Sequence, residues 1–566
     1  MLIETATARH EPAASATRTA APASSFEPAS SAYAYPLLIK SLLHSALRSA
    51  PDQEIVYRDV LRFDYRTLEQ RIGRLGNGLA ELGIKPGDVV GVLDWDSHRY
   101  LECYFGIPSM GAVLHMVNIR LTPEQILYTI NHAEDDVLLV HTDFLEMLEG
   151  IQDRIERVRT IVVLSDGGAV PATSLPLAAE YEALLAAAAP KCDFPDFDEN
   201  TRATTFYTTG TTGLPKGVFF SHRQLVLHAL ATAAALGCCV EQGRLHRADV
   251  YMPITPMFHV HAWGLPFVAT MLGIKQVYPG KYAPDILLRL IQQEGVTFSH
   301  CVPTLLQMML SSPLSAEVDL SKWKALIGGS ALSKGLAKAA MDRGIDIWAG
   351  YGMSETGPVV TVTHLTPEML VGDADQQLEM RTRAGRPAPL VDLRIVDTEM
   401  RDLPHDGQSA GEIVVRAPWL TQGYLKDAKN SDVLWEGGYL HTSDIGSIDG
   451  AGYLQITDRL KDVIKTGGEW ISSLAIEDII SQCAGVEEVA VIGVPDAKWG
   501  ERPLAIVVAR DGLTEAAIKA HLREFAERGV IPKWGVPERV ILTDEIDKTG
   551  VGKIDKKALR TRFGQP

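Results

Sequence analysis

One stretch of the chain runs Thr204-Thr-Phe-Tyr-Thr-Thr-Gly-Thr-Thr-Gly-Leu-Pro-Lys-Gly-Val218. Its first residues predict an apolar strand, and this strand enters a loop of glycines, small hydroxyl residues and one lysine. Just beyond the loop, Ser221-His-Arg-Gln224 forms a capping box, which predicts the start of a helix. A strand, a loop and a helix in this order indicate an α/β fold.

The loop has the chemistry of a polyphosphate site. Glycines let backbone N–H groups turn toward an anion, hydroxyl groups donate hydrogen bonds, and a lysine adds positive charge. The candidate ligands are Thr208, Thr209, Gly210, Thr211, Thr212, Gly213 and Lys216. The loop is not a Walker A motif, because Pro215 precedes Lys216 and Gly217 follows it. The sequence therefore predicts a triphosphate site of another type.

Helices alternate with short apolar strands from Tyr35 to about residue 400, which predicts βαβ units and parallel sheets. One predicted helix carries its apolar residues on a single face and ends at Gly83. That face consists of Leu68, Ile72, Leu75, Leu79 and Leu82. Strands are predicted at 88–93, 137–140 and 160–164.

The 566 residues exceed what a single hydrophobic core supports, so more than one domain is expected. Residues 1–33 are rich in Ala, Ser, Thr and Pro and predict a disordered tail. The stretch 391–415 predicts short strands of a small barrel-like subdomain. After Lys461 the pattern restarts as α+β, with helices near 474–484 and 515–526 and strands near 487–492 and 504–508.

Composition excludes several classes of protein. A net charge of −17 argues against a nucleic-acid partner, which needs a basic face. No apolar run is long enough to predict a transmembrane segment, and the N-terminal residues lack the apolar core of a signal peptide. The six cysteines show no metal-type spacing and are interpreted as buried free thiols. A reducing, cytoplasmic location is therefore expected.

Four further motifs follow the glycine-rich loop in a fixed order. They are Gly350-Tyr-Gly-Met-Ser-Glu-Thr-Gly357, Tyr439-Leu-His-Thr-Ser-Asp-Ile-Gly446, Asp458-Arg-Leu-Lys-Asp-Val-Ile-Lys-Thr-Gly-Gly-Glu-Trp-Ile-Ser472 and Lys548-Thr-Gly-Val-Gly-Lys-Ile-Asp555. With that loop they resemble the signatures of the adenylate-forming superfamily, which holds acyl-CoA synthetases, peptide-synthetase adenylation domains and firefly-type luciferases. Through Pro256–Gly264 and Lys465–Ser472, the likeness is closest to bacterial medium- and long-chain fatty acyl-CoA ligases.

The resemblance implies an α/β fold in two parts. A large N-terminal domain at 34–457 would hold layered, parallel-rich sheets and the barrel-like subdomain. A hinge at 458–461, with Lys461 as its pivot, would lead to a smaller, mobile α+β C-terminal domain at 462–566. The hinge would let this domain present different faces in two half-reactions.

The resemblance also implies the roles of individual residues. ATP, Mg²⁺ and coenzyme A are the expected cofactors, and a homodimer is a further expectation. Catalysis is assigned to Lys553, Glu355, Lys216 and Thr208. Beyond the loop, ATP would be bound by Gly329, Tyr351, Gly352, Ser354, Asp444 and Arg459. Glu355 and Thr208 would bind Mg²⁺, and Gly467, Gly468 and Trp470 would line the coenzyme A tunnel.

The acyl substrate is expected to bind near His259, Trp263 and Gly328. Amino-acid adenylation domains carry an acid where this chain has His259, so an amino-acid substrate is disfavoured. Neighbouring residues could build an apolar tunnel, although for any single one of them a place in the core is the simpler interpretation. An apolar lining favours a fatty or aryl chain. These neighbouring residues are Leu265, Pro266, Phe267, Val302, Leu305, Leu306 and Met309.

The leading hypothesis is a ligase that activates a medium- to long-chain fatty acid as acyl-AMP and transfers the acyl group to coenzyme A. The alternatives are an aryl- or short-chain acyl-CoA ligase and an enzyme that loads a carrier protein. A catalytically degenerate member is disfavoured, because the charged residues of the motifs are intact. Ser443, Asp547 and Val551 depart from the family pattern, and these departures concern loop geometry.

Overall fold

The computed structural model describes residues 29–208, 214–466, 469–509, 512–549 and 552–564, and the side chain of Trp470 lies outside this description. Residues 37–566 form one compact unit, and residues 1–36 form another. Of the second, the structure describes 29–36, which include a turn closed by the Ala32 N–H and the Ala29 carbonyl. The predicted disordered tail therefore falls mostly outside the described residues.

The strands of the described chain contribute to four sheets. In chain order they are β1 Glu54–Tyr57, β2 Leu61–Asp64, β3 Val89–Leu93, β4 Val113–Met116, β5 Val137–His141, β6 Thr160–Leu164, β7 Leu177–Glu180, β8 Arg202–Thr208, β9 Lys216–Ser221, β10 Val250–Pro253, β11 Lys275–Tyr278, β12 Phe298–Cys301, β13 Lys324–Ile327, β14 Asp346–Gly352, β15 Val359–Val362, β16 Arg386–Pro387, β17 Asp392–Val396, β18 Gly411–Arg416, β19 Trp435–Glu436, β20 Tyr439–Ile448, β21 Leu454–Arg459, β22 Ile464–Thr466, β23 Glu469–Ile471, β24 Val486–Asp496, β25 Gly500–Ala509 and β26 Arg539–Leu542.

The helices pack against the faces of these sheets. In chain order they are α1 Leu43–Ser49, α2 Tyr65–Glu81, α3 His98–Ser109, α4 Pro123–Ala133, α5 Leu145–Glu149, α6 Tyr181–Ala187, α7 His222–Gly237, α8 Leu265–Leu272, α9 Pro284–Glu294, α10 Pro303–Ser311, α11 Lys334–Met341, α12 Pro367–Leu370, α13 Ala374–Arg381, α14 Ala428–Leu434, α15 Ser473–Ser481, α16 Glu515–Glu527 and α17 Lys556–Phe563. The strands and helices predicted from periodicity are confirmed, including α2, β3, β5 and β6.

Two large sheets dominate the structure. The nine-stranded sheet has the order β16-β15-β14-β13-β12-β10-β11-β1-β2, and the seven-stranded sheet has the order β7-β6-β5-β3-β4-β8-β9. Their central pairs are parallel, and antiparallel pairs lie at the edges, as β8 and β9 do. The largest core cluster joins side chains of both sheets and of the helices between them, such as Ile55, Leu75, Val90 and Tyr104. The predicted layered, parallel-rich architecture is confirmed.

The last part of the chain adds two smaller sheets. Strands β17 to β21 form a five-stranded antiparallel sheet where the barrel-like subdomain was predicted. Strands β22 to β26 form a five-stranded mixed sheet, in which, among the described strand pairs, only β25 and β26 pair in parallel, and α15, α16 and α17 supply helices for its two core clusters. The predicted α+β restart after Lys461 matches this sheet. The boundary at 458–461 stays a prediction.

Within the described residues, no helix is long and apolar enough to span a bilayer. All six cysteines are free thiols. Cys103 and Cys301 are buried as expected, but Cys192, Cys239 and Cys483 are only partly buried. Cys238 is exposed because it lies just beyond the C-terminus of α7. The cysteines therefore have no structural role as disulfides.

Candidate active site

A cleft opens where parallel strands of the nine-stranded sheet end, the usual place for ligands in α/β folds. It encloses about 430 Å³, including its open mouth. Its walls come from the segment after β10, from the ends of β13 and β14 with the residues that follow them, from β15 and from Lys553. The lining residues include His259, Trp263, Gly328, Gly329, Tyr351, Gly352, Ser354 and Lys553. These eight sequence-predicted residues are thus brought together.

Two glycines after β13 let neighbouring groups approach the cleft floor. A Cβ on Gly328 would lie 3.0 Å from the Trp263 ring and 3.2 Å from the carbonyl oxygen of Gly350. Gly329 has φ +80°, and a Cβ there would lie 3.1 Å from Cε of Lys553. A larger residue at either position would displace a wall of the cleft, which explains why glycine stands at both.

Asp444 connects the cleft to the antiparallel sheet. The hydroxyl of Tyr351 donates to Oδ2 of Asp444 over 2.8 Å, and Nε of Arg459 lies 3.3 Å from its Oδ1. Asp444 and Arg459 face each other in the β20–β21 register, so the pairing of these strands fixes the ion pair. Burial raises the pKa of Asp444, whereas Arg459 and the Tyr351 hydroxyl lower it. The buried carboxylate is therefore held beside a half-exposed guanidinium.

Glu355 lies in a short 3₁₀ turn, Ser354–Thr356, that follows β14. It is 7% exposed, and its Oε1 accepts a hydrogen bond of 2.7 Å from the hydroxyl of Tyr424. Burial raises the pKa of Glu355, whereas the Tyr424 hydrogen bond and the charges of Lys216 and Lys553 lower it. The net effect is a raised pKa for a buried carboxyl group that lies within reach of the charges of two lysines.

Tyr424 is a site residue that the sequence reasoning missed. Its ring lies 4.6 Å from Nζ of Lys216, and its hydroxyl holds Glu355. A bridge between Tyr424 and Val218 and a hydrogen bond from the Leu425 N–H to the Gly217 carbonyl hold it against β9. Gly423 beside this aromatic residue was the available signal, but no periodicity marks the segment. Tyr424 thus couples the lysine of the glycine-rich loop to Glu355.

The described part of the glycine-rich loop is its two flanking strands. Thr208 ends β8 and faces Lys216, the first residue of β9, in an antiparallel register. The predicted ligands Thr209, Gly210, Thr211, Thr212 and Gly213 lie outside the described residues. The hairpin nevertheless directs Lys216 toward Tyr424 and Glu355.

Lys553 reaches the cleft from a tight turn before α17. The Thr549 N–H donates to the Lys553 carbonyl over 2.7 Å, and the Gly552 N–H donates to the Thr549 carbonyl over 2.8 Å. Burial lowers the pKa of Lys553 to about 8, and Arg459 adds to this effect, whereas Asp444 and Glu355 oppose it. Lys553, which follows Lys216 by more than 300 residues in sequence, is thus placed near the carboxyl groups of Asp444 and Glu355.

The predicted acyl end of the cleft rests on an unusual backbone. Val260, His261, Ala262 and Trp263 have φ values of +48°, +56°, +44° and +58°, which form a left-handed turn. Left-handed conformations cost L-residues about 1–2 kcal/mol each. The four residues are almost completely buried, and a hydrogen bond of 2.8 Å between Nε2 of His261 and Oγ1 of Thr204 holds the turn. The strained backbone is therefore the segment that carries Trp263 and fixes its position.

The Trp263 ring lines the cleft beside Gly328, and its centroid lies 4.9 Å from the centroid of the His300 ring. Burial, with Lys553 and Arg120, lowers the pKa of the neighbouring His259 to about 3, so this imidazole is neutral. The residues expected to form an apolar tunnel do not line the cleft; Leu265, Phe267 and Leu306, for example, are core residues. Six of the seven belong to the helices α8 and α10, and the seventh, Val302, directly precedes α10.

Of the remaining predicted residues, Lys461 lies in the described part of the chain, just before the C-terminal sheet. Lys461 is exposed in the turn after β21, where the Asp462 N–H donates to the Arg459 carbonyl over 2.8 Å. Gly467 and Gly468 and the side chain of Trp470 lie outside the described residues. The predicted coenzyme A tunnel therefore has no described wall.

Two family models match the chain. The model of the AMP-binding enzyme matches residues 43–425, and that of the AMP-binding enzyme C-terminal domain matches residues 475–553. A long-chain-fatty-acid–CoA ligase of Thermus thermophilus is 39% identical over 90% of this chain and 93% of its own. A 3-methylmercaptopropionyl-CoA ligase of Ruegeria lacuscaerulensis is 37% identical over 93% and 97%, and a medium-chain-fatty-acid–CoA ligase of Ectopseudomonas oleovorans is 34% identical over 93% and 96%.

Solved structures share the fold over nearly the whole length. An anthranilate CoA ligase, AuaEII, in complex with anthranoyl-AMP gives a TM-score of 0.82 at 24% identity and covers 93% of this chain and 98% of its own. ATP-bound MatB from Rhodopseudomonas palustris gives 0.79 at 25% identity and covers 94% and 99%. The chain therefore has the fold of these proteins over nearly its whole length.

Proposed function

Because the chain belongs to the family of AMP-binding enzymes, we propose that its cleft converts a carboxylic acid into an acyl-adenylate and that the acyl group then passes to coenzyme A. The enzyme is an AMP-forming acyl-CoA ligase, in keeping with relatives named as CoA ligases. The observation that carries the proposal is Lys553, a lysine with a lowered pKa that lines a cleft beside Glu355 and Asp444.

In the first half-reaction, an oxygen of the substrate carboxylate attacks the α-phosphorus of ATP. The new P–O bond forms as the bond to the leaving pyrophosphate breaks, and the products are acyl-AMP and pyrophosphate. Two anions must meet, so fixed positive charge near the reacting atoms lowers the barrier. We assign this charge to Lys553 at the α-phosphate and to Lys216 at the outer phosphates.

The nucleoside would bind between β14 and β20. The adenine stacks on Tyr351 and lies against the backbone at Gly329 and Gly352, and Ser354 donates to the phosphates. Asp444 accepts from the ribose hydroxyls, and Arg459 donates to the same sugar. The Tyr351–Asp444 hydrogen bond supports this assignment, because it holds the carboxylate before the nucleotide enters.

The residues present fit Mg²⁺. The described residues contain no group of three or more His, Cys, Asp or Glu side chains that could hold a metal by themselves. Mg²⁺ usually binds one or two carboxylates together with substrate phosphates and water, and Glu355 with Thr208 supplies such a partial set. When bound, the ion would neutralise phosphate charge. Tyr424 would keep the Glu355 carboxylate oriented.

In the second half-reaction, the coenzyme A thiolate attacks the acyl carbonyl carbon, and AMP leaves as the thioester forms. We propose that rotation of residues 462–566 about Lys461 removes Lys553 and brings Gly467, Gly468 and Trp470 to line the thiol entrance. The separate core of the C-terminal sheet supports this, because a region with its own core can move as a body.

The proposed acyl substrate is a medium- to long-chain fatty acid, which His259, Trp263 and Gly328 would contact. Relatives named for long- and medium-chain fatty acids support this choice. An aryl- or short-chain acid is the alternative substrate. The Trp263 ring beside Gly328 favours this alternative, because in its present position the ring limits the depth of the cleft. A cytoplasmic location and a homodimer stay predictions.

The test is the formation of AMP and acyl-CoA from ATP, Mg²⁺, coenzyme A and acids from acetate to palmitate, with benzoate added. An optimum among the longer straight chains would support the proposal. An optimum at acetate, butyrate or benzoate would favour the alternative substrates. Pyrophosphate without acyl-CoA would indicate a carrier-protein acceptor, and silence with every acid would overturn the function.

A further inference from the structure

A side-chain hydrogen bond fastens the turn that carries Lys553 to the large α/β region. Oγ1 of Thr304 donates to the carbonyl oxygen of Gly552 over 2.6 Å. Thr304 is the second residue of α10, and Gly552 directly precedes Lys553. The bond therefore acts on the backbone of the lysine's own turn, 248 residues away in sequence.

A second contact joins the C-terminal region to the large α/β region, at a place away from Lys553. Oδ1 of Asp478 on α15 accepts from the backbone N–H of Lys334, the first residue of α11, over 2.8 Å. The backbones pack so closely there that a Cβ on Gly335 would collide with the carbonyl oxygen of Ser481. This contact sets the orientation of α15.

The Lys553 turn is also tied to α15. Nζ of Lys556 lies 2.6 Å from Oγ of Ser473 and 2.7 Å from Oε1 of Glu477. The turn is thus held from the C-terminal side by Lys556 and from the large region by Thr304. Without the Thr304 bond, the described hydrogen bonds and ion pairs of the turn are all made on the C-terminal side, and only packing of Lys553 and Gly552 against residues such as Gly329 and Val302 joins it to the large region.

We propose that Thr304 is a positioning residue for Lys553 in adenylate formation, a role that rests on the function proposed above. Its hydroxyl clasps the Gly552 carbonyl whenever the C-terminal region places Lys553 in the cleft. Catalysis depends steeply on such placement, since a shift of about 1 Å can cost about a hundredfold in rate. Thioester formation, with Lys553 withdrawn, does not use the clasp.

The experiment compares Thr304→Val, which keeps the shape and removes the hydroxyl, with Thr304→Ser, which keeps the hydroxyl. Each full-length variant is assayed for acid-dependent ATP–pyrophosphate exchange and for thioester formation from synthetic acyl-AMP and coenzyme A. Thr304→Val should lower exchange about tenfold, as expected for one lost hydrogen bond. It should leave thioester formation within about twofold, and Thr304→Ser should restore exchange.

Normal thioester formation in Thr304→Val also demonstrates that the variant is folded. Unchanged exchange, an equal loss of both half-reactions, or a Thr304→Ser variant as impaired as Thr304→Val would each overturn the proposal. Failure of the wild-type enzyme with every acid would instead overturn the proposed function.

Hydrogen exchange of the amides at 549, 552 and 553 tests the clasp without any substrate. These amides donate within the turn. They should exchange faster in Thr304→Val and at the wild-type rate in Thr304→Ser. Equal exchange in all three proteins would overturn the clasp.

Discussion

The hydroxyl of Tyr424 donates a 2.7 Å hydrogen bond to Oε1 of Glu355, while the Tyr424 ring lies 4.6 Å from Nζ of Lys216. One side chain therefore sets the position of the proposed metal ligand and contacts the lysine of the glycine-rich loop. Because its two contacts use different parts of the side chain, they can be separated by mutation.

Tyr424→Phe should keep the ring over Lys216 and remove the donor to Glu355. Hydrogen bonds to charged groups contribute about 1.5–3 kcal/mol, so kcat/KM for ATP should fall at least tenfold, with a stronger demand for Mg²⁺. Steady-state kinetics over a range of Mg²⁺ concentrations measures this. Tyr439→Phe is the matched control, because the Tyr439 hydroxyl donates to Asp392 over the same 2.7 Å away from the cleft. Equal losses in both variants would contradict the role of Tyr424.

Adenylate formation should fall as the pH rises through about 8, the value to which burial lowers the pKa of Lys553. The ammonium form is present below this pKa, and above it the charged fraction falls roughly tenfold per pH unit. The dependence of kcat/KM on pH, which reports the ionisation of the free enzyme, measures this alkaline limb of the profile. Lys553→Arg stays charged and should lose this limb, although its rate is lower. An unchanged limb in Lys553→Arg would assign it to another group.

Lys553→Ala should separate the two half-reactions. Formation of acyl-AMP from ATP should fall by several hundredfold or more, as expected when a fixed charge at a developing anion is removed. Thioester formation from supplied acyl-AMP should be largely retained. Single-turnover assays of each step measure the two rates. Parallel loss of both would contradict the proposal that Lys553 acts in only one of them.

Trp263→Ala should widen the acyl end of the cleft, since the ring lines the cleft beside Gly328. The optimum of acyl-chain length should shift by at least two carbons toward longer acids; each CH₂ newly buried contributes about 0.8 kcal/mol. Competition between acids of different length measures the shift. Gly328→Ala would place a Cβ 3.0 Å from the same ring and should disfavour bulky acids. An unchanged profile in both variants would assign Trp263 to the core alone.

Ser443, which departs from the family's glycine, adopts φ +58°. The structure nevertheless keeps Asp444 bonded to Tyr351, so the departure leaves the carboxylate in place. Ser443→Val should lower the free energy of unfolding by about 1–2 kcal/mol, because β-branched residues are poorly accommodated there. Ser443→Gly should change it by about 0.5 kcal/mol or less, since relief of strain and added chain flexibility oppose each other. Thermal denaturation followed by circular dichroism measures both. A Val variant as stable as wild type would contradict the strain.

Local patterns were sufficient for much of the fold. Alternating apolar strands and helices located β3, β5 and β6, because a buried parallel strand is apolar throughout and is bounded by turn residues. The motifs located Glu355, Asp444 and Lys553, since each lies in a short run of unusual composition. Their convergence in one cleft depends on tertiary contacts, which no local pattern contains.

Other features lay beyond sequence reasoning for identifiable physical reasons. Tyr424 and Thr304 act through contacts more than 60 residues away in sequence, and neither belongs to a periodic or glycine-rich segment. The left-handed turn at Val260–Trp263 opposes local preference, because valine rarely adopts positive φ. For the apolar residues that were expected to form a tunnel, the sequence predicted only burial. It does not distinguish a residue that lines a tunnel from a residue of the core.

The left-handed turn has a consequence for how acyl specificity can change. Since four successive residues share this conformation, the direction of the Trp263 ring depends on the backbone of the whole segment and not on the tryptophan alone. Stepwise codon changes would each leave a strained neighbour behind. A protein engineer should therefore transplant residues 259–264 together with Thr204 as a single cassette, and natural lineages would exchange this specificity more readily by recombination than by successive point mutation.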